Sequence, residues 1–350
     1  MNLTSFGKIS ASSALNSTKR SSASFDCLIV EAERRGISVT PLGARNFLSL
    51  VALSGREARL FGTITNRTSH LAVTLADDKR ATKDLLLQRM LPTPAYYSVD
   101  VEDEAVNAFH ALGGWVAIKP QKGYQGRAVS VGLTTEDEVR AAYQIAAAVS
   151  HVVLVERHCR GQDYRVTVVD GKVVAVSERK PPEITGDGRR SIVEWIAELN
   201  QDPQRGDGQE KPMVRLRIDE QMVKFLRRQG WTLKSVPERG QKVQLHAFGS
   251  LSQGSSSIDR TDEIHPELAS LCEEAANLIG LDVAGVDLIA QDIALPLTSS
   301  NVQIIEINCS PGLRGHLFPS EGVPRNPAVA ILDYLFPESI DKRLNTAPGR

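Results

Sequence analysis

The sequence lacks any apolar run long enough to cross a bilayer, which excludes a helical membrane span. It also lacks an excess of either charge: 41 Lys and Arg face 42 Asp and Glu, and this balance argues against nucleic acid or an anionic membrane as a partner. The four cysteines show no paired spacing, which argues against a disulfide framework or a zinc site. We therefore expect a cytoplasmic globular protein with reduced thiols.

The length and the N-terminus set the outline of the molecule. The 350 residues, of which 41% are hydrophobic, can bury enough apolar surface for two or three subdomains. Residues 1–24 are rich in serine, contain no acid and carry Lys8, Lys19 and Arg20, a composition weakly typical of an organelle transit segment. We expect instead a mobile segment that leads into the folded chain at Phe25.

The stretch from Tyr164 to Arg179 carries the clearest local signal. Two runs rich in β-branched residues meet at Asp170-Gly171, which is a typical sequence for a type I′ hairpin turn. Alternation along the first strand places Arg165 and Thr167 on one face. The opposite face carries Tyr164, Val166 and Val168. The first face is therefore polar and the second is apolar.

Three other parts of the chain have helical patterns. In LADDKRATKDLLLQRMLPTP, Asp77 or Asp78 can cap the start of a helix and Pro92 stops it. In TDEIHPELASLCEEAANLIG, the apolar residues fall on one helix face and Gly280 ends the helix. The more polar stretch 181–245 contains two further helices, around IVEWIAELN and IDEQMVKFLRRQG, and we interpret it as an insertion or a lid.

Two neighbouring strands near the C-terminus carry three oxygen donors. Glu306 and Asn308 in NVQIIEIN are two residues apart, so both side chains leave the same face of a sheet. Asp287 in DVAGVDLIA adds a second carboxylate if the two strands pair. Carboxylate and amide oxygens suit a hard cation such as Mg²⁺, which also binds substrate phosphates. A hydrogen-bond network that caps the strand ends without a metal fits the same spacing equally well.

The stretch IKPQKGYQGRAV contains a loop that could hold a phosphate. Lys119 lies at a strand end, and Gly123 and Gly126 follow in a loop whose backbone N–H groups can approach an anion. The stretch is neither a Walker A loop nor a dinucleotide fingerprint, and an ordinary hairpin loop is the simpler interpretation. Lys79 and Lys83 lie one helical turn apart, and a solvated basic face is their simpler interpretation.

Two further stretches have ordinary interpretations of their own. In VERHCRGQDYR, Glu156 lies at a strand end and Asp163 follows a turn, and exposed acids are common at such places. SLSQGSSSIDR is a loop rich in serine and glycine, which suits either a flexible linker or a loop that closes over a ligand. Neither stretch indicates a function by itself.

Taken in order along the chain, these signals resemble the ATP-grasp ligases. The stretches GWTLKSVPERG, SIDRTDEIHPELA, AGVDLI and EINCSPGLRGHLFPSEGVPRNPAVAILDYLFP look like the ATP-grasp region of cyanophycin synthetase. The glutathione-synthetase half of the bifunctional γ-glutamylcysteine synthetase–glutathione synthetase is a close relative. The resemblance extends from about Asp77 to Pro337 and is looser from Phe25 to Leu75.

The resemblance implies a fold and domain boundaries. The fold is α+β, with an ATP-grasp domain, a small α/β domain before it and a helical insertion. The expected divisions are a mobile segment at 1–24, the small domain at 25–76, the ATP-grasp domain at 77–340 and a tail at 341–350. Within the ATP-grasp domain, a nucleotide lid is expected at roughly 93–155 and the insertion at roughly 181–245.

The resemblance also implies roles for individual residues. The nucleotide-binding positions are Lys79 and Lys119 for the phosphates, Gly123 and Gly126 in the closing loop, Glu156, Arg157 and His158 for the adenine, and Asp163 for the ribose. The magnesium ligands are Asp287, Glu306 and Asn308. The basic residues near the transferred phosphate or the acceptor carboxylate are Arg165, Arg179 and Arg260, while Arg314 turns towards the substrate side.

The activity that the resemblance implies is that of an ADP-forming carboxylate–amine ligase. Such an enzyme uses ATP and two Mg²⁺ ions, with Mn²⁺ as an alternative, and makes an amide bond to an amino acid through an acyl phosphate. Its partners are amino acids or short peptides, without nucleic acid or membrane, and a homodimer is one option. A glutathione-synthetase-like ligase and a nucleotide-binding regulatory protein without ligase activity are the alternatives.

One loop departs from the family pattern. In GSLSQGSSS, Ser250 stands where the family has Asn, and Ser255 stands where it has Gly. The loop lies near the acceptor substrate in the family, so the substrate pair stays open and the regulatory alternative gains room. The three metal-binding positions argue against a loss of catalysis. Cys309 is interpreted as a packing residue, because acyl-phosphate chemistry needs no covalent enzyme intermediate.

Overall fold

The computed structural model describes residues 22–43, 46–123, 126–208, 211–298 and 300–340. The expected tail 341–350, and the expected N-terminal segment 1–24 up to residue 21, lie outside the described residues. The Oγ of Ser22 caps the first helix by accepting a hydrogen bond from the backbone N–H of Phe25 at 3.3 Å. Residues 22–24 therefore belong to this helix and its cap. Within the described ranges, no helix is both long and apolar enough to cross a membrane.

The small N-terminal part consists of one helix and a four-stranded antiparallel sheet in the order β1-β2-β3-β4. Its elements are α1 (Ala23–Arg34), β1 (Ser38–Leu42), β2 (Phe47–Val51), β3 (Glu57–Phe61) and β4 (Ile64–Thr65). The buried face of the sheet carries Leu48, Leu50, Ala58 and Leu60. These residues belong to one apolar cluster with α1 and with the C-terminal helix of the chain. The sequence resemblance predicted this small α/β domain.

Two helices and a second sheet follow. Their elements are α2 (His70–Asp77), α3 (Lys79–Gln88), β5 (Tyr96–Val99), α4 (Glu102–Ala111), β6 (Val116–Pro120), β7 (Ser130–Leu133), α5 (Glu136–Ala147) and β8 (Val153–Arg157). The sheet has the order β5-β8-β6-β7. The sequence predicted a helix in the region of Leu75 to Pro92 with Asp77 or Asp78 as its cap, and α3 confirms this with Asp78. Helix α2 before it was not predicted. Asp77 ends α2, and Asp78 caps α3 by accepting hydrogen bonds from the backbone N–H groups of Arg80 and Ala81.

A five-stranded antiparallel sheet forms the centre of the molecule. It contains β9 (Gln162–Val169), β10 (Lys172–Lys180) and three later strands. The hairpin between β9 and β10 is confirmed, because Asp170 and Gly171 both have positive φ, at 50° and 69°, as a type I′ turn requires. The apolar face of β9 is also confirmed, since Tyr164, Val166 and Val168 lie in the main core.

The polar stretch after β10 folds around an apolar cluster of its own, as expected for an insertion. Its elements are β11 (Glu183–Thr185), α6 (Ile192–Leu199), β12 (Arg205–Gly206), β13 (Met213–Val214), α7 (Glu220–Arg228) and β14 (Lys242–Gln244). The cluster includes Ile192, Ile196, Met222 and Leu226, which are nearly inaccessible to solvent. Both predicted helices are therefore confirmed.

The chain then returns to the central sheet and ends against the small domain. The remaining elements are β15 (Ser256–Asp259), α8 (Pro266–Ile279), β16 (Val283–Ala290), β17 (Val302–Asn308), α9 (Arg314–Leu317) and α10 (Pro327–Leu335). The strand order of the sheet is β15-β10-β9-β16-β17. The helix that the sequence predicted before Gly280 is confirmed as α8, and Gly280 caps it with φ 84°. Part of the expected Ser/Gly loop is ordered as strand β15.

Candidate active site

The three predicted metal ligands lie together on β16 and β17. The two strands pair antiparallel, with Asp287 opposite Glu306 and Gly285 opposite Asn308. The Nδ2 of Asn308 lies 3.3 Å from Asp287 Oδ2 and 3.2 Å from the carbonyl oxygen of Gly285. Two carboxylates and one amide side chain thus lie on adjacent rigid strands, and carboxylate and amide oxygens are the donor types that Mg²⁺ prefers.

Two arginines neutralise the carboxylate of Asp287. Arg165 on β9 donates to both of its oxygens, and the Nη2–Oδ2 distance is 3.1 Å. The Nη2 of Arg179 on β10 lies 3.4 Å from Oδ2 of the same carboxylate. Burial alone would raise the pKa of Asp287, but the two guanidinium groups outweigh it and hold that pKa below its usual range. Asp287 is therefore ionised at neutral pH, as a metal ligand must be.

Asp163 extends this row of charges along β9. Arg179 donates to its Oδ1 through Nε at 3.0 Å and also through Nη2. Burial raises the pKa of Asp163 to about 6, and the neighbouring guanidinium only partly opposes this. The predicted residues Asp163, Arg165 and Arg179 thus lie on the same sheet face as Asp287.

Lys79 joins the metal-ligand strands to the loop of the second sheet. Its Nζ lies 3.2 Å from Glu306 Oε1 and donates to the carbonyl oxygen of Gly123 at 2.6 Å. The interpretation of Lys79 and Lys83 as a solvated basic face is wrong, because the two residues are only 7% and 1% exposed. Helix α3 therefore presents both lysines to the interior between the two sheets.

Lys119 and Glu156 form a buried ion pair inside the second sheet. The Nζ of Lys119 lies 2.7 Å from Glu156 Oε1 and 3.4 Å from the carbonyl oxygen of Ile305 on β17. The interpretation of Glu156 as an ordinary exposed acid is wrong, because only 3% of the residue is exposed. Lys119 and Lys79 thus approach the strand of Glu306 from different elements.

The other residues of the predicted nucleotide site lie further along β8 and in the loop. Arg157 is exposed, and the half-buried ring of His158 packs against Trp115 with 4.2 Å between ring centroids. Gly126 has φ +70°, and a Cβ there would lie 3.0 Å from the ring of Phe248. Any side chain at this position would therefore strain the backbone and crowd Phe248, which favours glycine. Residues 124–125 lie outside the described part of the chain.

The structure does not bring Arg260 to this cluster. Its Nε donates to Glu178 Oε2 at 2.9 Å, and its Nη1 donates to Glu263 Oε1 at 3.0 Å. Glu178 and Arg179 are consecutive residues of β10, so their side chains leave opposite faces of the sheet. Arg179 faces Asp287, which places Arg260 with Glu178 on the other side.

Arg314 and His316 on α9 lie close to the cluster and to the serine-rich loop. Arg314 is buried and its Nη2 donates to the carbonyl oxygen of Leu251 in that loop at 2.7 Å. The Nε2 of His316 is 2.8 Å from the Thr167 hydroxyl, on the same face of β9 as Arg165. Burial lowers the pKa of His316 to about 3, so its ring is neutral.

Sequence reasoning missed two buried contacts of this site. Lys83 binds Glu156 at 3.3 Å, and the hydroxyl of Thr93 connects Lys83 to the carbonyl oxygen of Ile304. The lysine spacing on α3 was visible in the sequence, but nothing local shows what packs against that helix face. Thr93 carries no sequence signal at all.

Comparisons with known proteins give long matches to two families. The chain is 42% identical over 322 residues to a cyanophycin synthetase from Trichormus variabilis, which covers 92% of this chain and 36% of that protein. It is 31% identical over 313 residues to the glutathione biosynthesis bifunctional protein GshAB of Clostridium perfringens, covering 88% of this chain and 40% of that protein. The chain thus spans well under half of the length of these relatives. No protein-family model matches it.

A solved structure decides the fold. The crystal structure of a bifunctional glutathione synthetase from Pasteurella multocida matches with a TM-score of 0.66 and 30% identity, over 91% of this chain and 44% of that one. The chain has the ATP-grasp fold. The resemblance that the sequence motifs indicated is thereby confirmed for both relatives. In this ATP-grasp fold, the cluster around Asp287 and Lys79 lies where the central sheet faces the second sheet.

Proposed function

We propose that this chain is an ATP-dependent, ADP-forming carboxylate–amine ligase that makes an amide bond to an amino acid. One observation carries the proposal: the ammonium group of Lys79 lies between the Glu306 carboxylate and the Gly123 carbonyl. One cation therefore contacts a carboxylate of the central sheet, which is a proposed metal ligand, and the glycine-containing loop of the second sheet. This arrangement suits a nucleotide polyphosphate that enters between the two sheets.

The proposed reaction has two steps. An oxygen of the substrate carboxylate attacks the γ-phosphorus of ATP, the bond to the β-phosphate oxygen breaks, and ADP leaves. The amine nitrogen then attacks the carbonyl carbon of the acyl phosphate, the bond from carbon to the phosphate oxygen breaks, and the nitrogen loses its proton. Both steps develop negative charge on oxygen, so fixed positive charge lowers both barriers.

The charged side chains of the site supply that positive charge. Lys79 and Lys119 would bind the phosphates, and Arg165 and Arg179 lie beside Asp287, where the transferred phosphate would come. Asp287, Glu306 and Asn308 would hold Mg²⁺, and Mn²⁺ suits the same oxygen donors. When bound, the metal would neutralise phosphate charge. The assignment of two ions to this site belongs to the proposal.

The remaining nucleotide contacts follow the resemblance. Residues 156–158 would contact the adenine and Asp163 the ribose, with Gly123 and Gly126 in the closing loop. The burial of the Glu156 side chain favours contact through the backbone at that position. Arg260 could act near the transferred phosphate only if its side chain moved away from Glu178. Arg314 is the better supported basic residue near the acceptor loop. The domain boundaries given above, including the lid at roughly 93–155, remain part of the proposal.

The acceptor side distinguishes the two related ligase activities. Ser250 and Ser255 change a loop that Arg314 anchors at Leu251, and Ser250 already bonds Ser252 at 2.8 Å. An amino acid or short peptide is the proposed substrate class, and the cytoplasm is the proposed location. The similarity to the bifunctional glutathione synthetase supports a ligase that uses a dipeptide as the second candidate.

A screen of substrate pairs tests the proposal. The protein is incubated with ATP, Mg²⁺ and pairs of amino acids or dipeptides, and ADP release is measured. Mass spectrometry then identifies the product. We expect ADP release that depends on both substrates and an equal amount of a condensed product. ATP binding without turnover for any pair would favour a regulatory protein and contradict the proposal.

A further inference from the structure

Lys83 is a buried cation without a direct role in the site described above. It lies one helical turn after Lys79 on α3 and is 1% exposed. Its Nζ lies 3.3 Å from Glu156 Oε1, and it donates to the Thr93 hydroxyl at 2.9 Å and to the Pro94 carbonyl at 3.3 Å. Two of the three donors of this ammonium group therefore make hydrogen bonds, and the Glu156 carboxylate lies within ion-pair distance. At 1% exposure, Lys83 has little access to a substrate.

Glu156 is shared between two lysines. Its Oε1 lies 2.7 Å from Lys119 Nζ and 3.3 Å from Lys83 Nζ, and all three residues are at most 5% exposed. Among the described residues, no partner meets this oxygen with full hydrogen-bond geometry, so the attraction is mainly electrostatic. Two cations and one anion leave one excess positive charge in a poorly solvated place. Such a site favours the approach of a further anion.

The pKa shifts agree with this geometry. Burial lowers the pKa of Lys83 to about 8, although the Glu156 carboxylate partly opposes the change. Burial would raise the pKa of Glu156, but Lys119 and Lys83 together hold it below its usual range. Glu156 is therefore ionised, and its negative charge attracts both lysines.

Lys83 also connects the two sheets. The Thr93 hydroxyl that accepts its hydrogen bond donates to the carbonyl oxygen of Ile304 at 2.9 Å. Ile304 lies on β17, two residues before Glu306. Lys83 thus fixes Glu156 of the second sheet relative to the strand that carries a proposed metal ligand.

We propose that Lys83 is a positioning residue, which shares the Glu156 carboxylate and so leaves the Lys119 ammonium able to bind ATP phosphate. The inference rests on the proposed function, because the role of Lys119 in binding phosphate is part of that proposal. Without Lys83, Glu156 has Lys119 as its one cation in this buried cluster. The closer pair then competes with the phosphate for the same ammonium group, and nucleotide affinity falls.

Nucleotide affinity of variants tests this without any second substrate. Lys83→Met and Lys83→Gln remove the charge, and the glutamine retains an N–H donor for Thr93, so it serves if the methionine variant does not fold. Both should weaken ATP binding, measured by calorimetry, by about tenfold or more. The larger part of the loss should appear in KM for ATP rather than in kcat. Lys224→Met, on an exposed lysine of α7 that pairs with Glu220, is the matched control and should bind as the wild type does.

A second substitution separates positioning from general packing. Glu156→Gln removes the charge that Lys83 shares, so adding it to a Lys83 variant should restore most of the lost affinity. A packing role would give additive losses instead. Wild-type affinity in a folded Lys83 variant, or no rescue by Glu156→Gln, would overturn the inference. A wild-type protein that binds ATP but forms no amide contradicts the proposed ligase activity and leaves this test intact, whereas one that binds no ATP contradicts both.

Discussion

Glu306 is the residue on which the proposed metal site depends most. It is one of two carboxylates in the donor set, and its partner Lys79 would be left with the Gly123 carbonyl if the acid were removed. Glu306→Ala should lower ligation by about a thousandfold or more, because a charged ligand is lost where charge develops. Folding should persist, since the side chain is 28% exposed at a strand end.

The ligation rate and the melting temperature are measured together for this variant. Glu220→Ala, which removes an exposed carboxylate of α7, is the matched control and should keep both values. Near-normal turnover of Glu306→Ala at saturating Mg²⁺ would refute the assignment of Glu306 as a ligand.

Cys309 directly follows β17, the strand of two proposed metal ligands, but it has no chemical role in this account. Burial, with a smaller contribution from the nearby Asp77 carboxylate, raises the pKa of its thiol to about 11, so the thiol is protonated at neutral pH. Cys309→Ser should therefore keep most of the ligase activity. Steady-state kinetics with an unchanged melting temperature check this. Complete loss of activity in a stable serine variant would point to covalent catalysis.

Asp163 should make the stability of the protein depend on pH. Burial raises its pKa to about 6 in the folded state, against an unfolded value of about 3.9. The folded state then binds more protons between these values, so stability falls as the pH rises from about 4 to about 6. The loss is at most about 3 kcal/mol.

Melting temperatures between pH 4 and pH 7 measure this effect. Asp163→Asn cannot ionise, so it should gain stability relative to the wild type as the pH rises through the window. Asp137→Asn, on an exposed acid in the first turn of α5, is the control and should follow the wild-type profile. Parallel curves for Asp163→Asn and the wild type would contradict the raised pKa.

At the scale of elements, Arg228 joins helix α7 of the insertion to the second sheet. Arg228 donates to the Val131 carbonyl at 3.0 Å and to the Gly132 carbonyl, and its Nε lies 2.8 Å from Glu138 Oε1. The two carbonyls belong to β7, an edge strand of its sheet. We expect these contacts to hold the insertion over the nucleotide side while the acyl phosphate exists.

Arg228→Met should let water reach that intermediate, so ADP would be released without an equal amount of amide. The ratio of ADP to amide should rise above the wild-type value of one, while Arg227→Met, on the exposed neighbouring residue, should leave it unchanged. A ratio of one in a folded Arg228→Met variant would show that the contacts of Arg228 are not needed to keep water from the acyl phosphate.

The elements themselves were largely predictable, because their signals are local. Asp170-Gly171 specifies its hairpin through the positive φ values that the turn needs, and Gly280 ends α8 for the same reason. The cap of α3 was predicted only as Asp77 or Asp78, because both are good caps and packing selects Asp78, and helix α2 before it was not predicted. The facing of Asp287 and Glu306 required the register of β16 against β17, which the separate stretches do not contain.

Residues that depend on distant partners were not predictable from spacing. Lys83 and Glu156 are far apart in the sequence, because most of the second sheet lies between them. The local sequence around each of them suggests an exposed side chain. The resemblance named Glu156 but did not indicate that its side chain is buried. It also placed Arg260 near the transferred phosphate, whereas Arg260 binds Glu178 on the opposite face of β10. Long-range packing, rather than local propensity, decides these positions.

At the scale of the whole molecule, the small domain contacts the loop that follows strand β17. Thr63 donates to the Pro311 carbonyl at 3.2 Å, and the backbone N–H of Leu313 donates to Ser24 Oγ at 2.7 Å. Arg35, fully buried, bonds Asp333 on α10 at 2.8 Å. The small domain thus holds the loop after Asn308 at two points, which keeps the proposed donor set rigid.

The nucleotide product of a trapping reaction tests the central claim most directly. Hydroxylamine replaces the amine substrate in the presence of ATP, Mg²⁺ and the carboxylate partner that the screen identifies. The account predicts a hydroxamate of that carboxylate, with equal amounts of ADP and phosphate, because the carboxylate attacks the γ-phosphorus and an acyl phosphate forms before the amine adds. AMP and pyrophosphate as the stoichiometric products would mean attack at the α-phosphate and would contradict the mechanism.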